Sequence, residues 1–330
     1  MSPRAEDPTL VTGGAGFVGS ALVRRLLEGG RRVVVLDNFF SGVREHVEGL
    51  GPELTVVEGD VLDTATVARV FREHAPERVY HLVGDTFVPS AYLEPRRFFR
   101  INVEGTLNVL QAVARAGTRR MLYVSSTEVY GRARTQPIGE GHALDPANTY
   151  AVSKLAADRL CHTFFHEHGV PVVIARIFNC YGPRETQPYV VPELVRQLAR
   201  GPVVHLGNAE ARRDFTYVED TARGLEALMG SSLPDGEPCH VGSGTSTSIR
   251  ELAMLCGRLM GHPDVRIELD PRRMRRLDID DFRCDASRLG AATGWAPQVG
   301  LEEGLARTIA WYREHGSRWT WERWAPDGVV

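Results

Sequence analysis

Lysine is almost absent from this chain. Lys154 is the only one in 330 residues, against 39 lysines and arginines together. A chain that uses arginine so widely keeps a lysine either by chance or because the position needs one. Lysine brings a compact ammonium with a tunable pKa, whereas guanidinium is a wide, permanently charged fork. Cysteine is sparse too. Cys161, Cys180, Cys239, Cys256 and Cys284 are odd in number, scattered, and form no Cys-x-x-Cys pair. That argues against a disulfide framework or a zinc site, and for reduced thiols in a cytoplasm. No apolar run approaches the ~18 residues of a membrane span. The stretch Met1–Pro8 holds no apolar core of a signal peptide. Excess charge is missing as well: the formal net charge is -3, which leaves no footprint for nucleic acid.

What is present is an ordinary globular composition, 43% hydrophobic and 25% charged. The length exceeds the roughly 100–200 residues of one usual domain. Short apolar runs at Leu10–Val11, Val33–Leu36, Leu54–Glu58, Arg78–Val83, Arg120–Ser125 and Pro171–Ile177 read as strands. Helical periods fall between them, at Ser20–Glu28, Thr64–His74, Phe98–Ala116 and Ala151–His168. This alternation predicts an α/β fold, a Rossmann-type doubly wound parallel sheet. After Phe178 prolines punctuate shorter elements, with helices expected at Val191–Arg200, Val218–Met229, Ser248–Met260 and Leu301–His315. The expected division is a dinucleotide domain over 1–178 and a smaller C-terminal α/β substrate domain over 179–330. Segments near 214–242 are expected to return to the first domain. Trp311, Trp319, Trp321 and Trp324 gather in the tail and read as packing residues.

Gly14-x-Gly16-x-x-Gly19 follows a strand and opens a helix, and Gly13 tightens the turn. Such a turn lets the backbone approach a pyrophosphate, with the helix N-terminus aimed at the phosphates. Asp37 ends the second strand, 21 residues after Gly16. A carboxylate there accepts from ribose hydroxyls and repels a 2′-phosphate, which favours NAD over NADP. Asp60 ends the third strand and reads either as an adenine contact or as a helix cap. Tyr150 and Lys154 stand one helical turn apart on one face. Free tyrosine, with a pKa of about 10, is a poor base. A nearby ammonium and a positive nicotinamide ring would stabilise its phenolate, and the lysine can also hold the nicotinamide ribose.

With these motifs in view, the chain resembles the extended short-chain dehydrogenase/reductases of the NAD-dependent nucleotide-sugar epimerase/dehydratase family. The likeness runs from about Thr9 to His315. It includes Thr12 to Gly19, Asp37, Asp60, His81-Leu82, Asn102 to Thr106, Ser125 to Gly131, Tyr150 to Lys154, Arg176 to Pro183 and Arg213 to Asp220. One departure is His81 to Asp85, where two alanines and a glutamine-like residue are usual. The resemblance implies cofactor contacts at Gly13, Gly14, Ala15, Gly16, Phe17, Val18, Gly19, Asp37, Asn38, Asp60 and Val61. It extends them to Leu82, Val83, Gly84, Asn102, Ser125, Tyr150, Lys154 and Ile177. It implies a nucleoside-diphosphate sugar as substrate, contacted by Asp85, Thr86, Ser126, Asn179, Val191, Arg213, Arg273 and Arg276. The Arg272–Arg276 stretch taken alone reads as a solvated face. No metal is implied. A homodimer is, through the helices Phe98–Ala116 and Ala151–His168, with Leu160, Phe164 and Phe165 as apolar surface.

The resemblance also implies a shared first step. Tyr150 takes the C4 hydroxyl proton, Ser126 holds the C4 oxygen, and C4 is oxidised with NAD. The reactions then branch. A 4-epimerase returns hydride to the other face, a 4,6-dehydratase removes the C5 proton and expels the C6 hydroxyl, and a UDP-glucuronate decarboxylase loses the C6 carboxylate. Glu128 matches the carboxylate of dehydratases and decarboxylases. Thr127 stands where dTDP-glucose dehydratases carry Asp and mannose-type dehydratases a hydroxyl. The expectation is a nucleotide-diphosphate-sugar 4,6-dehydratase, with 4-epimerase and then decarboxylase as alternatives. A non-catalytic dinucleotide sensor is disfavoured by intact Ser126, Tyr150 and Lys154.

Overall fold

A computed structural model describes residues 8–274 and 277–315. Arg276, Trp319, Trp321 and Trp324 lie outside the described residues. The chain opens with β1 (Thr9–Thr12), α1 (Phe17–Glu28), β2 (Val33–Asp37), β3 (Leu54–Glu58), α2 (Thr64–His74) and β4 (Arg78–His81). Then come α3 (Val88–Leu93), α4 (Pro95–Phe99), a π turn at Arg100–Glu104, and α5 (Gly105–Ala116). β5 (Arg120–Ser126), a 3₁₀ turn at Thr127–Tyr130, α6 (Thr149–His168) and β6 (Val172–Ile177) come next. The helical period over Phe98–Ala116 holds as one continuous path with a π turn inside it, since Phe99, Arg100, Glu104 and Gly105 all keep right-handed helical φ/ψ. It is widened around Asn102, whose side chain is committed to a neighbouring loop, a common cause and use of π turns.

The later chain adds β7 (Asn179–Tyr181), α7 (Val190–Leu198), β8 (Val203–Leu206), β9 (Arg212–Arg213), β10 (Phe215–Tyr217) and α8 (Val218–Gly230). It continues with β11 (Pro238–Val241), β12 (Thr247–Ser248), α9 (Ile249–Met260), β13 (Arg266–Leu269), β14 (Asp281–Phe282), α10 (Ser287–Thr293) and α11 (Leu301–His315).

Seven strands form one parallel sheet in the order β3-β2-β1-β4-β5-β6-β11. Both faces are covered, so adjacent residues of one strand enter opposite cores. Val11, Val33 and Val35 pack with Leu22, Val23, Leu225 and Leu228 on the α1–α8 face. Leu10, Val34 and Leu36 pack with Val70, Phe71, Val109 and Leu110 on the α2–α5 face. Thus α8 and β11, late in sequence, complete the large sheet. Other late elements build a separate core around Leu194, Leu198, Val204, Phe215, Leu252 and Leu305. Strand order reverses between β1 and β4, and loops leaving there open a crevice at the sheet's carboxyl edge.

Behind that edge Arg176 on β6 is fully buried and grips Asp158 of α6 at 2.9 Å through both Nε and Nη2. Asp158 also accepts from Ser125 at 2.8 Å, and Arg176 donates to Tyr130 at 2.7 Å. Removing one member strands the other's charge in the core. Asp158→Ala is expected to cost about 3–5 kcal/mol in urea unfolding, and the apolar pair Asp158→Leu/Arg176→Met to recover most of that loss. Equal loss in both variants would show that the charges themselves are needed.

Candidate active site

The crevice is a cleft of about 800 Å³. At one end the glycine turn forms its floor. Gly13 has φ +76°, and a Cβ there would lie 2.9 Å from the Val83 amide nitrogen. A Cβ on Gly14 would meet Val35 at 2.6 Å, and one on Gly19 would collide with the Gly13 carbonyl. The turn therefore excludes side chains, and α1 begins immediately after Gly16 with no acidic residue in its first turn. That is a cradle fitted to an anionic phosphate. Asp37 accepts from the Ala15 amide at 3.0 Å and the Phe39 amide at 2.9 Å. Burial nevertheless raises its pKa, against those two backbone bonds. Gly42 keeps the carboxylate accessible, because a Cβ there would lie 2.8 Å from Asp37 Oδ1. Asn38 donates to Asp60 at 2.9 Å, joining the ends of β2 and β3. Asp60 also accepts from the Leu62 amide, while the cap of α2 is Asp63. The donor and acceptor set fits a dinucleotide lacking a 2′-phosphate.

The cleft wall carries Phe17, Val18, Val61, Leu82, Val83, Gly84, Ser125 and Ile177. Gly14, Ala15 and Asn102 sit one layer behind it. Asn102 is fully buried. Its Oδ1 accepts from the Asp85 amide at 2.8 Å, and its Nδ2 donates to the Asp85 carbonyl at 3.0 Å and Ser153 Oγ at 2.8 Å.

The middle of the cleft is lined by Ser126, Thr127, Glu128, Tyr150 and Lys154. Ser126 ends β5 and caps the 3₁₀ turn, accepting from the Glu128 amide at 3.2 Å. Asn148 caps α6 through its Oδ1 and donates from Nδ2 to Glu128 Oε2 at 3.0 Å. One residue thus sets both the helix that carries Tyr150 and the carboxylate that faces it. Burial raises the Tyr150 pKa, a hydrogen bond with Ser126 opposes the rise, and the Glu128 and Asp85 charges add to it. Lys154 is buried, donates to the Val124 carbonyl at 2.6 Å and lies 4.5 Å from the Tyr123 ring centroid. Burial lowers its pKa to about 8, partly offset by Cys161 and Asp158.

Beyond the catalytic group, Asp85 and Thr86 line the cleft, and Thr86 Oγ1 meets Tyr189 Oη at 2.5 Å. Glu185 and Gln187 are buried cleft residues with Oε2 and Oε1 unpartnered. The sequence pattern does not single out Glu185, Gln187 or Tyr189. Their only signal is a polar stretch between Pro183 and Pro188. Toward the other end stand Asn179, Val191, Arg213 and Arg273. Arg213 is held by Asp278 at 2.9 Å and the Ile279 carbonyl at 2.7 Å. Arg273 is held by Glu193 at 3.1 Å and Asp270 at 3.8 Å. Among the described residues no group of three His, Cys, Asp or Glu side chains could hold a metal ion, and no helix is long and apolar enough to cross a membrane.

The lysine has a measurable signature. Its folded-state pKa of about 8 lies below the ordinary 10.5. Between those values the unfolded chain binds more protons, so its contribution favours folding increasingly as pH rises. Lys154→Met removes this dependence. Its stability relative to wild type, from urea midpoints, is expected to be highest below pH 8 and to fall steadily from about pH 8 to 10.5. A pH-independent difference would place the lysine's charge in a solvated setting.

Comparison with known proteins agrees with this geometry. The family model "GDP-mannose 4,6 dehydratase" matches residues 10–308. A dTDP-glucose 4,6-dehydratase from Actinoplanes is 34% identical, over 94% of this chain and 99% of that one. UDP-glucuronic acid decarboxylase 1 from Xenopus tropicalis is 33% identical, over 95% and 74%. Among solved structures, a UDP-glucose 4-epimerase from Thermotoga maritima with UDP-glucose superposes with TM-score 0.87 at 31% identity, covering 93% and 99%. A Streptomyces venezuelae dTDP-glucose 4,6-dehydratase with NAD bound gives TM-score 0.88 at 31% identity, covering 94% and 98%. The family model and these relatives span nearly the whole chain and the fold superposes on theirs: the chain belongs to the GDP-mannose 4,6-dehydratase family of extended short-chain dehydrogenase/reductases, the nucleotide-sugar epimerases and dehydratases.

Proposed function

We propose that the protein is an NAD-dependent nucleoside-diphosphate-sugar 4,6-dehydratase. The observation that carries this reading is Glu128, a carboxylate held by Asn148 one turn from Ser126 and facing the same cleft as Tyr150. The glycine turn, Asp37 and Lys154 would hold the dinucleotide. When bound, NAD supplies a hydride acceptor and donor, and a positive charge in its oxidised form. Tyr150 takes the C4 hydroxyl proton, and Ser126 donates a hydrogen bond to the C4 oxygen. Once C4 is a ketone, the C5 proton is acidic and Glu128 removes it. Loss of the C6 hydroxyl as water, with a hydrogen-bonding partner in Thr127, would leave a 4-keto-5,6-ene, and return to C6 of the hydride taken from C4, with a proton to C5, would give the 4-keto-6-deoxy sugar and restore the oxidised dinucleotide. Arg213 and Arg273 offer the diphosphate their guanidinium forks. In this reading the chain divides near residue 178, with the nucleotide-sugar half over 179–330 lending α8 and β11 to the large sheet.

Epimerisation at C4 is the second reading. Thr127 favours it, since a hydroxyl is a weak acid for expelling water. Decarboxylation ranks lower, because a sugar carboxylate would enter beside Asp85 and Glu128 while Arg97 is already spent on Asp85. Mass spectrometry of candidate nucleotide sugars separates the three: loss of water, loss of carbon dioxide, or unchanged mass. In deuterated water the dehydratase product carries deuterium at C5. Tyr150→Phe is expected to suppress oxidation and exchange together, and Glu128→Gln to spare sugar-dependent reduction of NAD while slowing C5 exchange about 10²–10⁴-fold. Product without C5 deuterium, together with an active Glu128→Gln, would replace dehydration by epimerisation.

We also propose a homodimer through α5 and α6. Val152 on α6 and Phe99 beside it are each 40% exposed, a cost for a lone chain. Leu160, Phe164 and Phe165 are partly buried against the chain's own core, so they contribute less than the sequence suggests. Light scattering at micromolar concentration is expected to give twice the 36.5 kDa chain mass. Val152→Glu should lower it, and a wild-type monomer would reject the interface.

A further inference from the structure

The departure at Asp85 has a partner that no motif announced. Asp85 Oδ2 accepts from Arg97 Nε of α4 at 2.7 Å, and its side chain is 3% exposed. The Asp85 backbone cannot follow Arg97 elsewhere, because Asn102 clamps both its amide and its carbonyl. The same Arg97 guanidinium lies 5.4 Å from the ring centroid of Phe40 and 5.7 Å from that of Phe98. Phe40 stands in the loop after β2, lines the cleft, and is 44% exposed. Asp85 stands in the loop after β4. In the sheet, β2 and β4 flank β1 on its two sides. The loops they feed are therefore the two lips on either side of the glycine turn. Arg97 touches both.

We propose that Arg97 is a positioning residue that ties the two lips of the dinucleotide cleft together and retains the cofactor through the catalytic cycle. This rests on the NAD-dependent reading above. A dinucleotide that is reduced and reoxidised in one residence must not escape midway, since its loss would strand a 4-keto sugar. Asp85 alone would be an unpaired, nearly buried charge at the lip of the cleft, and pairing it with Arg97 offsets that cost and turns the carboxylate into an anchor. The aromatic face of Phe40 then gains a cation held at fixed height. A guanidinium can do both at once, because its planar fork bonds through an edge and stacks through a face.

The test reads cofactor release directly. Enzyme loaded with NADH is mixed with excess NAD in a stopped-flow fluorimeter, for wild type, Arg97→Gln, Phe40→Ala and the double variant. Arg97→Gln is expected to release NADH about tenfold faster, the scale of losing a charge-assisted hydrogen bond together with a cation–π attraction. Phe40→Ala should also speed release, and the double variant should be no faster than the faster single. If Arg97→Gln does not fold, Phe40→Ala still decides, because it trims an exposed side chain. An off-rate within about twofold of wild type in the folded single variants, or a double variant whose acceleration equals the product of the two singles, would overturn the tie and leave the NAD reading standing. Wild-type protein that binds no NADH would overturn both.

Discussion

Asn102 joins the two halves of the site. Its amide closes a pair of hydrogen bonds on the Asp85 backbone, and its remaining donor reaches Ser153 on α6. Ser153 in turn donates to the Tyr150 carbonyl. The loop that borders the cofactor cleft is thereby fixed against the helix that carries Tyr150 and Lys154. A buried amide left unpaired would cost about 1–3 kcal/mol, so this group is held to one arrangement. The π turn at Arg100–Glu104 is the backbone's accommodation to it. In the proposed reaction dinucleotide and sugar would meet across this joint, and a small slip between its sides would separate the reacting atoms.

Around that joint the electrostatics favour neutral groups. Burial raises Tyr150 and lowers Lys154. A phenol and an amine in the same dry cleft each lean toward their uncharged form. In the proposed mechanism, positive charge arriving with the oxidised cofactor would favour the Tyr150 phenolate against the effect of burial. Ser126 supplies the standing bias, since it opposes the burial effect on Tyr150 while also capping the turn that carries Glu128. One serine thus serves backbone geometry and proton chemistry together.

Much of this is legible in the sequence because the constraints are local. The all-apolar run Val33–Leu36 fits a strand covered on both sides, and its alternate residues do enter opposite cores. The helix over Thr64–His74 follows its period from end to end. Gly13, Gly14 and Gly19 are where a side chain would strike backbone or Val35, so glycine itself is the signal. The features hidden from the sequence depend on contacts between distant segments. The π turn at Asn102 accompanies hydrogen bonds to Asp85 and Ser153, 17 and 51 residues away. Arg97 sits in an arginine-rich helix with no period to mark it. The buried loop Glu185–Tyr189 reads as surface punctuation, because its polar residues turn into a cleft the local sequence cannot announce. The lone lysine is the exception, a residue made conspicuous by composition.

The choice of reaction is confined to a smaller region than the fold. Relatives named as dehydratase, decarboxylase and epimerase share this architecture at similar identity, so architecture cannot choose among them. All three can begin with the same ketone. The fate of that ketone depends on which proton acceptor and donor lie beside C5 and C6, and the candidates proposed for those places, Thr127 and Glu128, stand in one 3₁₀ turn, Thr127–Tyr130. Thr127 and Glu128 both line the cleft, with Ser126 capping the start of the turn and Asn148 bracing the carboxylate from the helix. A carboxylate with that bracing can take a proton from C5 without losing its place. A threonine beside it can pass a hydrogen bond to a leaving hydroxyl but cannot be the acid of first resort. In the dehydratase reading, Glu128, protonated once C5 has given up its proton, is the carboxylic acid that this turn can offer to the departing C6 oxygen.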